Sequence, residues 1–191
     1  MTRHARVLEP ADVRVVLRHA RKTQAARNTV MVLLSFKAGL RACEIAGLAW
    51  PMVLTPSGEV SASIDLSGWV TKNGRSRVIP LNQELGRTLA KLHRQQGWPM
   101  DGPVIRSQRG GHMTARGVVN WFAEVYADAG LVGCSSHSGR RTFVTRAARA
   151  LVKTGGSLRD VQELVGHSSL STTERYIQGD RRAQHRLVQL A

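Results

Sequence analysis

The stretch RNTVMVLLSFKAGL, residues 27–40, constrains the fold more than any other. A helix so uniformly apolar is stable only when neighbouring elements cover it on all sides. It therefore reads as the central core helix, and Gly39 near its end suits a helix stop. Neither this run nor any other approaches the ~20 apolar residues that a bilayer span requires. Two helices are expected to flank it. LEPADVRVVLRHARK opens with Pro10 near a helix start and carries Val13, Val16 and Leu17 at helical spacing. RACEIAGLAW begins the other, with Ile45 and Leu48 facing inward.

Helical periodicity disappears between residues 53 and 80, where Gly, Ser, Thr and Val rise. WVTKNGRSRVIPL places Asn73-Gly74 between two short β-like runs, the local signal of a two-residue hairpin. Helices then return over about 81–96, 114–129 and 138–153. SLRDVQELVGH predicts a short helix with Ser157 and Asp160 at capping-box spacing and Gly166 closing it. STTERYI predicts another, with Ser171 and Glu174 at the same spacing, and RRAQHRLVQLA a last one. The fold class is mainly α with a small antiparallel β-sheet (α+β). No linker divides the 191 residues, so one domain is expected.

The charge is unusual. Lys and Arg number 28 against 13 Asp and Glu, a formal net charge of +15. Such a balance attracts a polyanion, and nucleic acid is the commonest. A membrane surface is the weaker match. The N-terminus MTRHARVLEP has no apolar core segment, so no secretory signal is expected. Cys43 and Cys134 are the only cysteines, and neither belongs to a Cys-x-x-Cys pair. They read as two free, partly buried thiols in a reducing compartment. Cys134 and His137 are three apart but lack further ligands nearby, so no metal site is expected.

Several polar residues stand out in order. Arg41 follows Ala-Gly-Leu at a junction between two helices, and Lys72 lies beside the hairpin tip. His137 and Arg140, three apart at a helix N-terminus, face the same way. His167 follows the glycine that stops a helix, and Tyr176 sits one turn into the next. Each has an ordinary reading taken singly: a solvated arginine, a solubilising lysine, a capping histidine, a packed tyrosine with a wet hydroxyl. Together, GLRACEIAGL, TKNGRSRVIPL, HSGRRTFVT and LVGHSSLSTTERYI occur in an order that resembles the catalytic domain of the tyrosine recombinase (phage integrase) family. The resemblance covers about residues 8–180, and the ordered set of Arg, Lys, His-x-x-Arg, Gly-His and a Tyr nine residues later is highly specific.

The resemblance implies the tyrosine recombinase catalytic-domain fold and a site-specific DNA recombinase or integrase. It assigns catalytic roles to Arg41, Lys72, His137, Arg140, His167 and Tyr176, the last as the nucleophile that forms a 3′-phosphotyrosine. No cofactor is implied, because the bond energy is kept in the phosphotyrosine ester. Double-stranded DNA is the implied partner, with a tetramer on DNA and accessory DNA-bending proteins. The implied setting is cytoplasmic, bacterial or phage-encoded and nucleoid-associated. Two other readings are a DNA-binding regulator that keeps the fold without strand exchange, and a type IB topoisomerase-like nicking and resealing enzyme. The intact residue set argues against the first, and small size with the phage-integrase-like GHSSLSTTERYI against the second.

The chain departs from the family pattern in having Gly139 and Arg141 where Leu and His are frequent. Relatives also carry an N-terminal helical domain that closes a clamp round DNA, and these residues begin almost directly at the catalytic domain. Arg75 and Arg77, flanking the hairpin tip, and Arg141 are expected to contact DNA phosphates. Arg106 and Arg109, in an RSQRGG loop, are equally well read as a solvated loop. His167 and Tyr176 would point in opposite directions on one continuous helix, and the break at Gly166 lets both face one phosphate. Leu187, Val188 and Leu190 suit either docking of the 181–191 tail on a neighbouring subunit or packing on their own domain.

Overall fold

A computed structural model describes residues 5–175 and Val188. The chain falls into two compact units, Met1–Phe143 and Val144–Ala191. The first contains α1 (Pro10–Ala20), α2 (Ala25–Lys37), α3 (Ala42–Gly47), β1 (Ser63–Leu66), β2 (Arg77–Pro80), α4 (Gln83–Gln95) and α5 (Ala115–Asp128). Helix α6 (Ser138–Thr154) begins in this unit and ends in the second, which also holds α7 (Leu158–Val165) and α8 (Leu170–Glu174).

As the sequence predicts, α2 is the core. Every residue from Asn28 to Phe36 is buried, and α1, α3 and α4 pack around it. Leu85, Leu89 and Leu92 are the buried stripe of α4, spaced so that one helix face meets the core. Ile45 and Leu48 are fully buried, and α3 packs on α5. Helix α2 stops at Gly39, which takes the left-handed φ of 65°. A Cβ there would lie 2.5 Å from Phe143 Cδ1, so both the backbone turn and the close approach require glycine.

The small antiparallel sheet is present, with Ile64 opposite Ile79 and Leu66 opposite Arg77. Its connection differs from the expected two-residue turn, for residues 67–76 join the strands. Within them Gly68–Val70 form a 3-10 turn whose start is capped by Ser67. Thr71 is buried, and its hydroxyl lies 3.0 Å from the carbonyls of both Gly68 and Arg75. A Cβ on Gly68 would come within 2.5 Å of Gly74 O, so the loop folds tightly back on itself. Gly74 still adopts the left-handed φ of 69°, but inside this wider loop, where local hydrogen bonds outcompete the shorter turn.

In the second unit, α7 begins and ends where the sequence indicates. Ser157 N and Oγ both donate to Asp160 Oδ2, at 2.6 and 3.0 Å, and Gly166 closes the helix at φ 62°. Helix α8 starts two residues earlier than the expected cap implies. Its cap is Ser169 rather than Ser171, and the two serine hydroxyls bond each other at 2.7 Å, so the Ser171–Glu174 capping box does not form. Both cysteines are free; Cys134 is half-buried, but Cys43 is exposed, against the expectation of a partly buried thiol. Among the described residues no helix is long and apolar enough to cross a membrane.

Candidate active site

Arg41 is the N-cap of α3, in extended backbone directly after the Gly39 turn. Its side chain and its backbone N–H both donate to Glu44, Nη1 to Oε1 at 2.8 Å and N to Oε2 at 2.8 Å. Glu44 is completely buried. Arg77 engages it as a fork, Nη1 to Oε1 at 3.0 Å and Nη2 to Oε2 at 2.9 Å. Arg140 Nη1 lies 4.0 Å from Glu44 Oε2 and donates to Gly39 O at 2.6 Å. One carboxylate thus gathers three guanidinium groups. Burial by itself would raise the Glu44 pKa; the Arg77 bonds and charge, the Arg41 N–H and the Arg140 charge outweigh it and hold the group below its usual value.

Glu44 was not singled out in the sequence, although its signal was present: an isolated acid three residues after Arg41, in an otherwise apolar helical stretch. Arg77 is the corresponding difference. It was expected to meet phosphate at the hairpin tip, yet its side chain is only 7 % exposed and is committed to Glu44. The sheet register explains this, because Arg77 opens β2 opposite Leu66. Of the three arginines, Arg41 keeps the most open side chain, at 20 %, against 5 % for Arg140.

Arg140 lies in the first turn of α6, next to Gly139. A Cβ on Gly139 would run into Ser35 Oγ and lie 2.8 Å from Ser35 Cβ, so the leucine frequent in the family does not fit here. His137 immediately precedes α6, where Ser135 and Ser138 exchange capping bonds, Ser138 N to Ser135 O at 2.8 Å and Ser135 N to Ser138 Oγ at 3.0 Å. His137 is exposed as a residue, yet its pKa is lowered, first by partial removal of the ring from water, then by the charges of Arg140, Arg41 and Lys72. The structure therefore brings Arg41, Lys72, His137 and Arg140 into one electrostatic neighbourhood. Lys72 and Arg75 are exposed on the 67–76 loop, and Arg141 is half-buried on α6.

In the second unit His167 is buried and follows the left-handed Gly166. Its backbone is fastened to α7, His167 N donating to Gln162 O at 3.1 Å and Gln162 Nε2 to His167 O at 3.0 Å. Its ring Nδ1 lies 3.0 Å from the hydroxyl of the fully buried Thr173 on α8. Sequence reasoning did not single out Thr173. Tyr176, Leu187 and Leu190 lie outside the described residues, and Val188 is exposed. The chain has two tyrosines. The other, Tyr126, is buried and stacked on Phe122 at 5.8 Å, with its phenol pKa pushed up by burial and then by Cys134.

Residues 6–182 match the phage integrase family model, and the chain belongs to the phage integrase family. It is 31 % identical over 155 residues to tyrosine recombinase XerC of Brucella suis, covering 80 % of this chain and 46 % of that protein. It thus spans about half the length of the curated relatives it matches. Its fold is that of the XerA recombinase crystal structure, with a TM-score of 0.72 over 98 % of this chain and 65 % of that one at 19 % identity. It matches equally the Tn1549 transposon integrase solved with a circular intermediate DNA, with a TM-score of 0.73 over 100 % of this chain and 67 % of that one at 19 % identity.

Proposed function

We propose that these residues form the catalytic module of a site-specific DNA recombinase that cleaves and rejoins duplex DNA through a covalent 3′-phosphotyrosine at Tyr176. The observation that carries this reading is the cluster of Arg41 and Arg140 beside Glu44, with His137 under the charge of both and of Lys72. A phosphodiester is anionic and gains charge as it is attacked. Arginine forks fixed before the reaction meet that charge without reorganising, and one such donor is worth roughly 2.7–4 kcal/mol.

In the proposed step, Tyr176 Oη attacks phosphorus as the phenol proton passes to His137. The lowered pKa of His137 favours this, because it keeps the ring neutral and its lone pair available at pH 7. The bond from phosphorus to the 5′-oxygen breaks, and Lys72 protonates that oxygen; lysine gives up a proton where arginine does not. Attack by a partner 5′-hydroxyl reverses the sequence and rejoins the strands. His167 adds a donor to the phosphate oxygens. Arg75 and Arg141 contact backbone phosphates, whereas the geometry of Arg77 favours holding Glu44. Burial of Tyr126 supports Tyr176 as the nucleophile, since the only other phenol is held neutral inside the core. Tetramer assembly on DNA, accessory DNA-bending proteins, a cytoplasmic setting and a single functional domain over 1–191 complete the proposal.

Covalent capture tests it. The protein is incubated with fragments of its source genome, denatured, and the protein–DNA adducts are sequenced beside a Tyr176→Phe control. Adducts at one locus, absent from the control, are expected. Adducts undiminished in Tyr176→Phe refute the nucleophile assignment, and salt-sensitive DNA binding without any adduct favours a DNA-binding regulator.

A further inference from the structure

Trp69 is 97 % exposed, more than any other large apolar side chain among the described residues. A single exposed apolar residue usually needs no account, but tryptophan is seldom left so fully in water, and this one is held there. It sits in the middle of the Gly68–Val70 turn, with its N–H bonded to Ser67 Oγ and the turn closed by Thr71. The next residue, Val70, packs on α3 so closely that a Cβ at Gly47 would lie 2.7 Å from Val70 Cγ1. The turn is thus anchored by Val70 to the helix that carries Arg41 and Glu44, while Trp69 projects from it into solvent. Exposed Lys72 and Arg75 follow on the same loop, and no acidic residue occurs between Asp65 and Glu84.

We infer that Trp69 is an apolar wedge for DNA, resting against or between the base pairs beside the phosphate that Lys72 serves. This rests on the proposed function for its partner, and the charge selects that partner. A loop of this sign, on a chain of net charge +15, attracts a polyanion and repels a second copy of itself. The cations hold the backbone, and the indole supplies contact with bases that cations cannot make. Apolar side chains inserted at base steps unstack them and bend the duplex, which would present the scissile phosphate to Arg41 and Lys72.

The test is equilibrium binding to a short mixed-sequence duplex carrying one 2-aminopurine, across a salt series, with no cleavage required. Trp69→Ala is expected to weaken binding by about 5- to 150-fold, the range for losing one base–aromatic stack, with the salt slope unchanged because no charge is removed. The 2-aminopurine emission rise should vanish in Trp69→Ala and survive in Trp69→Phe. Arg75→Ala, by contrast, should lower the slope by about 1. Melting curves of both Trp69 variants should match the parent; if Trp69→Ala melts early, Trp69→Gln, which keeps bulk but can neither wedge nor stack as an apolar ring does, serves as the comparison to Trp69→Phe. Unchanged affinity in the non-stacking variant, a changed salt slope, or a defect confined to self-association overturns the inference. Duplex binding that depends on Trp69 without covalent adducts would favour the DNA-binding regulator over the recombinase and leave this inference standing, and absence of DNA binding by the parent would overturn both.

Discussion

Replacing Glu44 by glutamine keeps the side-chain shape and removes the one charge that holds three arginines. The carboxylate accepts four bonds at 2.8–3.0 Å, two from Arg77 and two from Arg41, and faces Arg140 at 4.0 Å. A glutamine oxygen can accept some of these bonds, but its NH2 would be turned toward guanidinium donors. Breaking a buried ion pair on one side leaves uncompensated charge and costs about 3–5 kcal/mol. For a chain of this size that corresponds to a melting temperature lower by about 6–20 °C. Calorimetric melts of the parent, Glu44→Gln, Arg77→Met and the double variant provide the assay. Part of the loss should return in the double variant, since one uncompensated cation goes with the carboxylate, giving a coupling of about 0.5–3 kcal/mol. The pH dependence has a defined sign. The folded pKa of Glu44 is held below its ordinary carboxylate value, so its contribution is complete above the unfolded pKa and is lost as pH falls through the folded one. The parent should therefore lose stability below about pH 4.5 by a step that Glu44→Gln lacks. Equal melting temperatures for parent and Glu44→Gln, or strictly additive losses in the cycle, would refute the carboxylate as the organiser of the arginines.

Three further outcomes follow from the geometry. Gly39→Ala forces a left-handed residue to carry a Cβ against Phe143; a loss of at least about 1–3 kcal/mol in chemical denaturation is expected, with slower cleavage because Gly39 O is the Arg140 partner. Thr173→Val removes the hydroxyl beside His167 Nδ1; cleavage should fall while DNA affinity holds, Thr173→Ser should restore it, and failure of serine to do so would sink the role of the hydroxyl. The ring proton shifts of His137 should titrate below 6.5, and its pKa should rise in Arg41→Gln, because one of the charges that depress it is gone; an unmoved titration would mean that Arg41 does not act on the ring.

Much of this architecture was legible because the local rules agreed with the global fold. The uniformly apolar α2, the capping box of α7 and the left-handed Gly39 and Gly166 each carry their own signal in a few consecutive residues. The connection between β1 and β2 misled for the same local reason. Asn73-Gly74 is a strong turn signal, but Val70 finds a place against Gly47 and Thr71 finds two carbonyls, and these contacts widen the loop. The start of α8 slipped because three serines within 168–171 offer competing caps and the choice between them rests on tertiary contacts.

The site shows the same division more sharply. Ordered motifs named Arg41, Lys72, His137 and Arg140, because residue type and order are what a sequence records. They did not reveal which cations stay open and which are spent inside the protein, and that is a question of charge balance. Glu44 neutralises one of three arginines. Arg77, which grips Glu44 as a fork, is 33 residues from it along the chain, so its pairing is nonlocal and silent in sequence. The remainder of the cluster is a net positive centre, fixed in place by a buried acid rather than dispersed by mutual repulsion. Without the acid, Arg41, Arg77 and Arg140 would repel one another and withdraw toward water. With more than one acid, the centre would lose its attraction for an anion. A single carboxylate among three guanidinium groups is the balance that keeps the arginines together and still leaves positive charge for an anion, as the proposed phosphodiester reaction requires.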